Sequence, residues 1–194
     1  MVDFGEWVCG KVLKKLPHRH FVFSIPKILR RYFLYDRSLL SELSRCAWEA
    51  LRVFFQEAVP QGDGVPGAVI AIQTVGDFWG FNPHCHILCT DGCFDGKSLF
   101  RVVPHFNPED LKAIFEYHVF RMLLCKGKIT QDLVLMLRSW RHSGFQVFVG
   151  PRILPREEEA MEKLARYVIR ASFSQERMTY LPEESKVIYE SLDS

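Results

Sequence analysis

The sequence predicts an α+β fold in which helices pack on a mostly antiparallel sheet. Four runs are rich in β-branched and aromatic residues, which is typical of strands. Two of these runs are joined by the short segment "GDFWGFNP", a length that suits neighbouring antiparallel strands. Other segments repeat apolar residues at helical spacing. The order along the chain is therefore strand, helix, hairpin, helices, strand and helix, which is a layered α+β design.

The first half of the chain supplies three of the four strands. "HFVFSIP" (20–26) stops at a proline and predicts the first strand. Residues 38–59 carry leucine, alanine and phenylalanine at helical spacing, and "PQGDGVPG" ends this helix. Residues 68–75 and 84–90 then form a predicted hairpin.

The second half is mostly helical. Asn107 and Pro108 predict a helix start, because proline suits the first turn, and this helix extends to about Cys125. Further elements follow in order: a short helix over 130–140, a strand at "GFQVFVGP" (144–151), a helix over 156–173 and a hairpin around "PEES".

Length and composition predict a globular protein. The chain has 194 residues, of which 48% are hydrophobic and 25% charged, so we expect residues 1–194 to form a single domain. It contains no uncharged apolar run of roughly 18–20 residues, and its start lacks a signal-peptide pattern. We therefore expect no membrane association and an intracellular location.

The cysteines predict reduced thiols. None of the six belongs to a CxxC pair, and an intracellular chain keeps its thiols free. Strand alternation places Cys85 and Cys89 on the face opposite His84 and His86, so we interpret them as core residues. A Cys–His zinc site is the weaker alternative, because the spacing does not resemble tetrahedral zinc motifs.

Charge is informative through its distribution. The net charge is only +2, which does not by itself indicate a nucleic-acid-binding protein. However, "KVLKKLPHRH", "KILRRYF", "SWRH" and "ARYVIR" combine basic residues with aromatic ones. Such clusters suit a surface that follows phosphates, and solvated helix faces are the alternative interpretation.

The segment "GFNPHCHILCTDG" (80–92) carries the main candidate site. Residues two apart in a strand project from the same face, so His84 and His86 can share a metal ion. A pair of partly exposed histidines on a solvent face is the alternative. Gln73 on the preceding strand and Asp91 after the histidine strand are candidate third ligands, although Asp91 also fits an Asp-Gly turn.

"PHRHFVF" contains a second histidine pair, His18 and His20. It lies at the entrance to a strand with an arginine between the imidazoles. We interpret this pair as nucleic-acid contacts or surface residues in preference to metal ligands.

The last helix supplies a candidate nucleophile. Its apolar stripe includes Leu164 and Val168, whereas Lys163 and Tyr167 lie on nearly the opposite side. Tyr167 is therefore not a core position. A phenol among cations can approach a phosphate, because positive charge neutralises the backbone and favours the phenolate. An ordinary surface tyrosine is the alternative.

These motifs together resemble a known family. "GFNPHCHILCTDG" resembles the His–hydrophobic–His motif of HUH endonucleases. With "LPHRHFVFSIPKILRRYF", "SWRHSGFQVF" and "LARYVIRASFSQERM", nearly the whole chain is similar to the transposases of rolling-circle insertion sequences. The order of the motifs, with the histidine pair some eighty residues before "LARYVIR", is specific to that family.

The resemblance implies metal-dependent nicking and joining of single-stranded DNA at transposon ends in a bacterial cytoplasm. His84, His86 and Gln73 would hold Mg²⁺ or Mn²⁺, and Tyr167 would attack the phosphate to give a 5′-phosphotyrosine. The resemblance also implies a set of basic residues that position the strand: Lys163, Arg166, Arg170 and Arg177.

The chain departs from the family in two respects. Lys163 and Ala171 occupy the positions four residues either side of Tyr167, which implies a mechanism with one tyrosine. The cysteine-rich zinc-binding segment and the C-terminal continuation of the family are expected to be missing. Two alternative functions stay open: a non-catalytic remnant that binds single-stranded DNA, and a metal-dependent hydrolase in which water attacks.

Overall fold

The computed structural model describes residues 4–58, 64–76, 80–94, 99–103, 107–169 and 178–189. Its helices are α1 (Phe4–Trp7), α2 (Lys27–Tyr35), α3 (Leu39–Ala58), α4 (Pro108–Cys125), α5 (Gln131–Ser139) and α6 (Glu158–Ile169). Its strands are β1 (His18–Ser24), β2 (Ala68–Val75), β3 (Phe81–Thr90), β4 (Gly92–Phe94), β5 (Phe100–Val102), β6 (Gln146–Ile153), β7 (Met178–Leu181) and β8 (Lys186–Tyr189). A π-helical turn, Val8–Val12, follows α1, and a 3₁₀ turn, Pro182–Glu184, joins β7 to β8.

A four-stranded sheet forms the centre of the molecule. Its strand order is β2-β3-β1-β6, and each neighbouring pair is antiparallel. Two small hairpins, β4-β5 and β7-β8, lie outside it. The α+β fold predicted from the sequence is confirmed, with a fully antiparallel central sheet.

The hydrophobic core covers one face of this sheet. Odd-numbered residues of β1 and β3 project into it, among them Phe21, Phe23 and Cys85, all fully buried. Phe23 packs edge-on against Phe115 of α4 at 4.9 Å between ring centroids, and Phe21 packs against Phe55 of α3 at 6.2 Å. Edge-to-face packing of this kind is favourable for aromatic pairs.

The cysteine predictions agree with this core. Cys85 and Cys89 are fully buried on the core face, and the six cysteines are free thiols. Burial raises the pKa of the Cys85 thiol to about 12. Both residues therefore act as small apolar side chains.

The opposite face of the sheet is covered in part by α6. Gln73 Nε2 of β2 donates a hydrogen bond to the backbone oxygen of Val168 at 3.3 Å, which joins the edge of the sheet to this helix. The N-terminal turn, Val8–Val12, also packs against α6. This second face is therefore partly open, and the candidate site lies on it.

Most predicted elements are present with small shifts of their ends. Helix α4 begins as predicted, because the Asn107 side chain accepts a hydrogen bond from the Glu109 amide at 3.1 Å. The tail hairpin is also confirmed. The sequence did not predict α2, which buries only Leu29 and Phe33 within a basic segment, nor the three-residue strands β4 and β5.

Within the described residues, no helix combines the length and apolar character needed to cross a bilayer. The expectation that residues 1–194 form a single domain stays a prediction.

Candidate functional site

The open face of the sheet carries polar side chains aligned across all four strands. The Cα register places Gln73 of β2 opposite His84 of β3, and His84 opposite Ser24 of β1. Ser24 is in turn opposite Gln146 of β6. Because paired residues of antiparallel strands project from the same face, these four form one row of two amides, an imidazole and a hydroxyl.

A second row lies two residues further along each strand. His86 is opposite Ala71 of β2 and Val22 of β1, and Val22 is opposite Phe148 of β6. His20, two residues before Val22, projects from the same face. This face of the sheet therefore brings together three imidazoles from two strands.

Helix α6 places Tyr167 above these imidazoles. Ala165 and Val168 are each only 2% exposed, whereas Tyr167 is 57% exposed. The Tyr167 ring lies edge-on to His86, with 5.5 Å between ring centroids, and edge-on to His20 at 6.2 Å. The prediction that Tyr167 is not a core residue is thus confirmed.

A cavity of about 710 Å³ lies between the two rows and Tyr167. Gln73, His84, His86 and Tyr167, which are far apart in the sequence, all line it. Its volume is within the range of roughly 300–1,000 Å³ that is usual for ligand sites. Phe148, 56% exposed, forms part of the lining.

A backbone hydrogen bond fixes the tautomer of His84. Its Nδ1 lies 2.7 Å from the backbone oxygen of Asn82. A carbonyl oxygen only accepts, so Nδ1 carries the proton and Nε2 of the neutral ring carries the lone pair. His84 therefore offers Nε2 to a cation, and a hydrogen bond from Nδ1 to a backbone oxygen is common at metal-binding histidines.

His86 is held by another histidine. Its Nδ1 lies 3.0 Å from Nε2 of His20. Burial, together with the neighbouring His84 and His20 imidazoles, lowers the pKa of His86 to about 4. Burial also lowers the pKa of His20. Both rings are consequently neutral near pH 7, the form in which an imidazole can bind a metal.

Two residues with amide side chains, Gln73 and Asn82, line the cavity together with His84 and His86. Gln73 uses its amide nitrogen in the hydrogen bond to Val168, so its oxygen is the atom left for a ligand. Asn82 Oδ1 is buried and has no hydrogen-bond partner among the described residues, and Asn82 lines the cavity. A pair of imidazoles with amide oxygens suits a divalent cation such as Mn²⁺. Across the described part of the chain, no three His, Cys, Asp or Glu side chains are grouped to hold a metal ion.

The predicted DNA-positioning residues are less well defined. Lys163 forms an ion pair with Glu159 at 2.7 Å on the surface of α6. Arg166 forms a similar pair with Glu162 at 2.6 Å, and in each pair the two residues are one helical turn apart. Exposed ion pairs of this kind are weak and stabilise the helix only slightly. Arg170 and Arg177 lie outside the described residues.

Asp91, the alternative third ligand, lies away from the cavity. Its carboxylate is fully buried and accepts hydrogen bonds from Arg19 Nε at 2.8 Å and from Arg152 Nε. The Asp91 backbone also bonds to Pro17 and Val103, so the residue ties the ends of three strand segments together. Asp91 is thus a structural residue in a buried ion cluster.

The interpretation of His18 and His20 as surface residues is wrong. They are only 2% and 8% exposed. His18 bonds to the Leu16 backbone oxygen at 2.7 Å, whereas His20 belongs to the cavity. The signal for His20 was present, because its parity along the strand matches that of Val22 and Ser24, but the pairing of β1 with β3 was needed to use it.

Comparison with known proteins supports the coarser part of the resemblance, a transposase family. Residues 67–194 match the family model Y2_Tnp, described as "Putative transposase". No curated protein and no solved structure matches the chain. The matched range contains Gln73, both cavity-lining histidines of β3 and Tyr167, and it spans more than half of the 194 residues. The chain therefore belongs to this transposase family.

Proposed function

We propose that this transposase nicks and joins single-stranded DNA through a covalent tyrosine intermediate, in the manner of HUH transposases of rolling-circle insertion sequences. One observation carries the proposal: the Tyr167 ring lies 5.5 Å from the His86 ring at a cavity that His84 also lines. A phenol beside a pair of imidazoles that could hold a metal ion suits metal-assisted phosphoryl transfer to tyrosine.

The proposed step is balanced without a co-reactant. Tyr167 Oη attacks the phosphorus and forms the new P–O bond, while the bond from phosphorus to the 3′ oxygen breaks. The proton lost by the phenol matches the proton gained by the released 3′-hydroxyl. Because the phosphotyrosine keeps one phosphodiester, a second 3′-hydroxyl can reverse the step and join two strands without ATP.

His84, His86 and Gln73 are the residues that would hold Mg²⁺ or Mn²⁺. When bound, the ion would supply Lewis-acid polarisation of the scissile phosphate. The protein's own part is to hold the imidazoles in the required tautomers and to keep the phenol beside them. The side chain of Gln73 also anchors α6 through the Val168 oxygen, so one residue serves both parts of the site.

The aromatic lining supports a single-stranded substrate. Phe148 is exposed at the cavity, and unpaired bases stack on such rings. The proposed partner is single-stranded DNA at transposon ends, with Lys163, Arg166, Arg170 and Arg177 as proposed phosphate contacts. The family resemblance further supports a bacterial, cytoplasmic setting.

The test is formation of a covalent adduct. The protein is incubated with Mn²⁺ and a pool of random single-stranded oligonucleotides that carry a label at either the 3′ or the 5′ end. We expect the 3′ label to migrate with the protein after denaturation, because attack leaves the 5′ phosphate on the tyrosine. The 5′ label should be released with a free 3′-hydroxyl.

Three variants define the result. Tyr167→Phe should abolish the adduct, since it removes only the nucleophilic oxygen, and the double variant His84→Ala/His86→Ala should also lose it. Tyr180→Phe, which removes the oxygen of another exposed tyrosine, should still form it. Nicking that continues in Tyr167→Phe without any adduct would identify a hydrolase that uses water. Binding without cleavage by the unmodified protein would identify a non-catalytic remnant.

A further inference from the structure

We propose that His20 is a positioning residue for the candidate metal site. His20 accepts a hydrogen bond from His86 and so sets the tautomer of His86, one of the proposed metal ligands. The inference rests on the proposed function, because it concerns how His86 is prepared to bind a cation. Of the second histidine pair in the sequence, His18 and His20, only His20 lines the cavity.

The contact has the geometry of an in-plane hydrogen bond. The His20 Nε2 and His86 Nδ1 atoms are 3.0 Å apart, and the two ring planes differ by only 7°. Their centroids are 5.2 Å apart, close to the N···N distance plus the two ring radii. The rings therefore meet edge to edge, and the lone pair of one nitrogen points along the N–H bond of the other.

The direction of the hydrogen bond follows from what His84 can offer. In a neutral pair, one nitrogen donates and the other accepts. If His20 donated, His86 would carry its proton on Nε2 and could not bind a cation there. His84 is already restricted to Nε2 by the Asn82 oxygen. For both ligands to present Nε2 to one ion, His86 must donate from Nδ1 and His20 must accept.

A bulge in β6 lies beside His20. The register between β1 and β6 shifts between Arg19 and Phe21, where two residues of β6, Gly150 and Pro151, lie opposite His20 alone. Gly150 of β6 faces it, and a Cβ there would lie 3.2 Å from the His20 oxygen and 3.4 Å from its Cβ. β1 keeps a regular register with β3 through this point, and that pairing holds the His20 imidazole beside His86.

The first measurement is the tautomer in the metal-free protein. Long-range ¹H–¹⁵N NMR correlation distinguishes histidines protonated on Nδ1 from those protonated on Nε2. We expect His86 in the Nδ1–H form and His20 with an unprotonated Nε2, with His86→Asn used to assign the resonances. An Nε2–H form of His86 would overturn the proposal, whether or not the protein binds metal.

The second measurement is Mn²⁺ affinity by titration calorimetry, with folding checked by circular dichroism. Loss of a residue that hydrogen-bonds to a metal ligand typically weakens metal binding by roughly 10–100-fold, so the affinity of His20→Leu should fall by a factor in that range. His20→Gln places an amide oxygen near the position of Nε2 and should recover most of the affinity. His18→Leu is the matched control, because it removes a buried histidine of the same strand that lies outside the cavity.

The outcomes separate this inference from the proposed function. If the unmodified protein binds no Mn²⁺, the metal site of the proposed function fails, and the tautomer measurement still decides the hydrogen bond. If the unmodified protein binds Mn²⁺ and His20→Leu binds it equally well, only the role of His20 fails. If His20→Leu does not fold, the tautomer of His86 in the unmodified protein decides the proposal, and an Nε2–H form overturns it.

Discussion

Asn82 illustrates how a single side chain can be unfavourable for folding and suitable for binding. Its Oδ1 atom is buried and has no hydrogen-bond partner among the described residues. A buried acceptor without a partner loses its hydration and gains nothing in return. At the same time, the backbone oxygen of Asn82 orients His84. A cation or its bound water in the cavity would give the side-chain oxygen the partner that folding does not supply.

We therefore predict that Asn82→Ala changes stability little but weakens binding of Mn²⁺. The free energy of unfolding should change by less than about 1 kcal/mol, because the lost oxygen makes no hydrogen bond within the described residues. The backbone contact to His84 is retained. Chemical denaturation and Mn²⁺ titration measure the two effects.

Thr90→Val is the control for Asn82→Ala. The Thr90 hydroxyl is buried and makes two hydrogen bonds, from the Gly67 amide and to the Gly92 oxygen, each at 2.9 Å. Its removal leaves buried partners unsatisfied and should cost about 1–3 kcal/mol. A loss of similar size in Asn82→Ala would show that its oxygen already has a partner in the folded protein.

At the scale of elements, the regular pairing of β1 with β3 brings three histidines to one cavity. On the other side of β1, strand β6 has a bulge in which Gly150 and Pro151 lie opposite His20, where a regular register would place one residue. Gly150 allows the backbones to approach at this point. Glycine is frequent at bulges, because it has no side chain to obstruct the close approach of two backbones.

We predict that Gly150→Ala destabilises the fold and weakens Mn²⁺ binding together. The added methyl group would press on the backbone and Cβ of His20 at 3.2–3.4 Å, which are not flexible ends of a side chain. Overpacking of this kind typically costs about 1–3 kcal/mol. Gly10→Ala is the matched control, since a Cβ at Gly10 meets nothing within 4 Å. Equal stability of the two variants in thermal unfolding would contradict the close packing of Gly150 against His20.

The elements also show what the sequence could and could not predict. The hairpin of β2 and β3 was predictable, because its residues alternate locally and its connection is short, and this placed Gln73 near His84. The position of His20 beside His86 was not predictable, because it depends on the pairing of β1 with β3 and the two histidines are 66 residues apart in the sequence. Helix α2 was missed because its nine residues are mostly charged and aromatic, with only Leu29 and Phe33 buried.

At the scale of the whole molecule, the sheet separates two environments. One face is an aromatic core closed by α3 and α4, and the other is a polar cavity open beside α6. Because successive residues of β1 and β3 point to opposite faces of the sheet, Cys85 lies in the core and His84 lines the cavity. The same alternation buries histidines, which makes folding sensitive to acid.

His18 is the buried histidine best suited to test this sensitivity. Burial lowers its pKa from the usual 6.5, and the hydrogen bond to Leu16 and the charge of Asp91 only partly oppose that effect. Asp91 is itself neutralised by Arg19 and Arg152. As the pH falls below 6.5, the unfolded chain takes up a proton that the folded chain excludes. Stability is therefore full above this pH and is lost progressively below it.

We predict that His18→Asn flattens the dependence of stability on pH between about pH 5 and 7, the range in which histidines titrate. Asparagine keeps an N–H donor for the Leu16 oxygen but cannot take up the proton. For a chain of this size, each 1 kcal/mol lost lowers the melting temperature by roughly 2–4 °C, so melting curves across this range are sensitive enough. His142→Asn removes an exposed histidine and is the control. A His18→Asn profile as steep as that of the unmodified protein would place the acid sensitivity elsewhere in the fold.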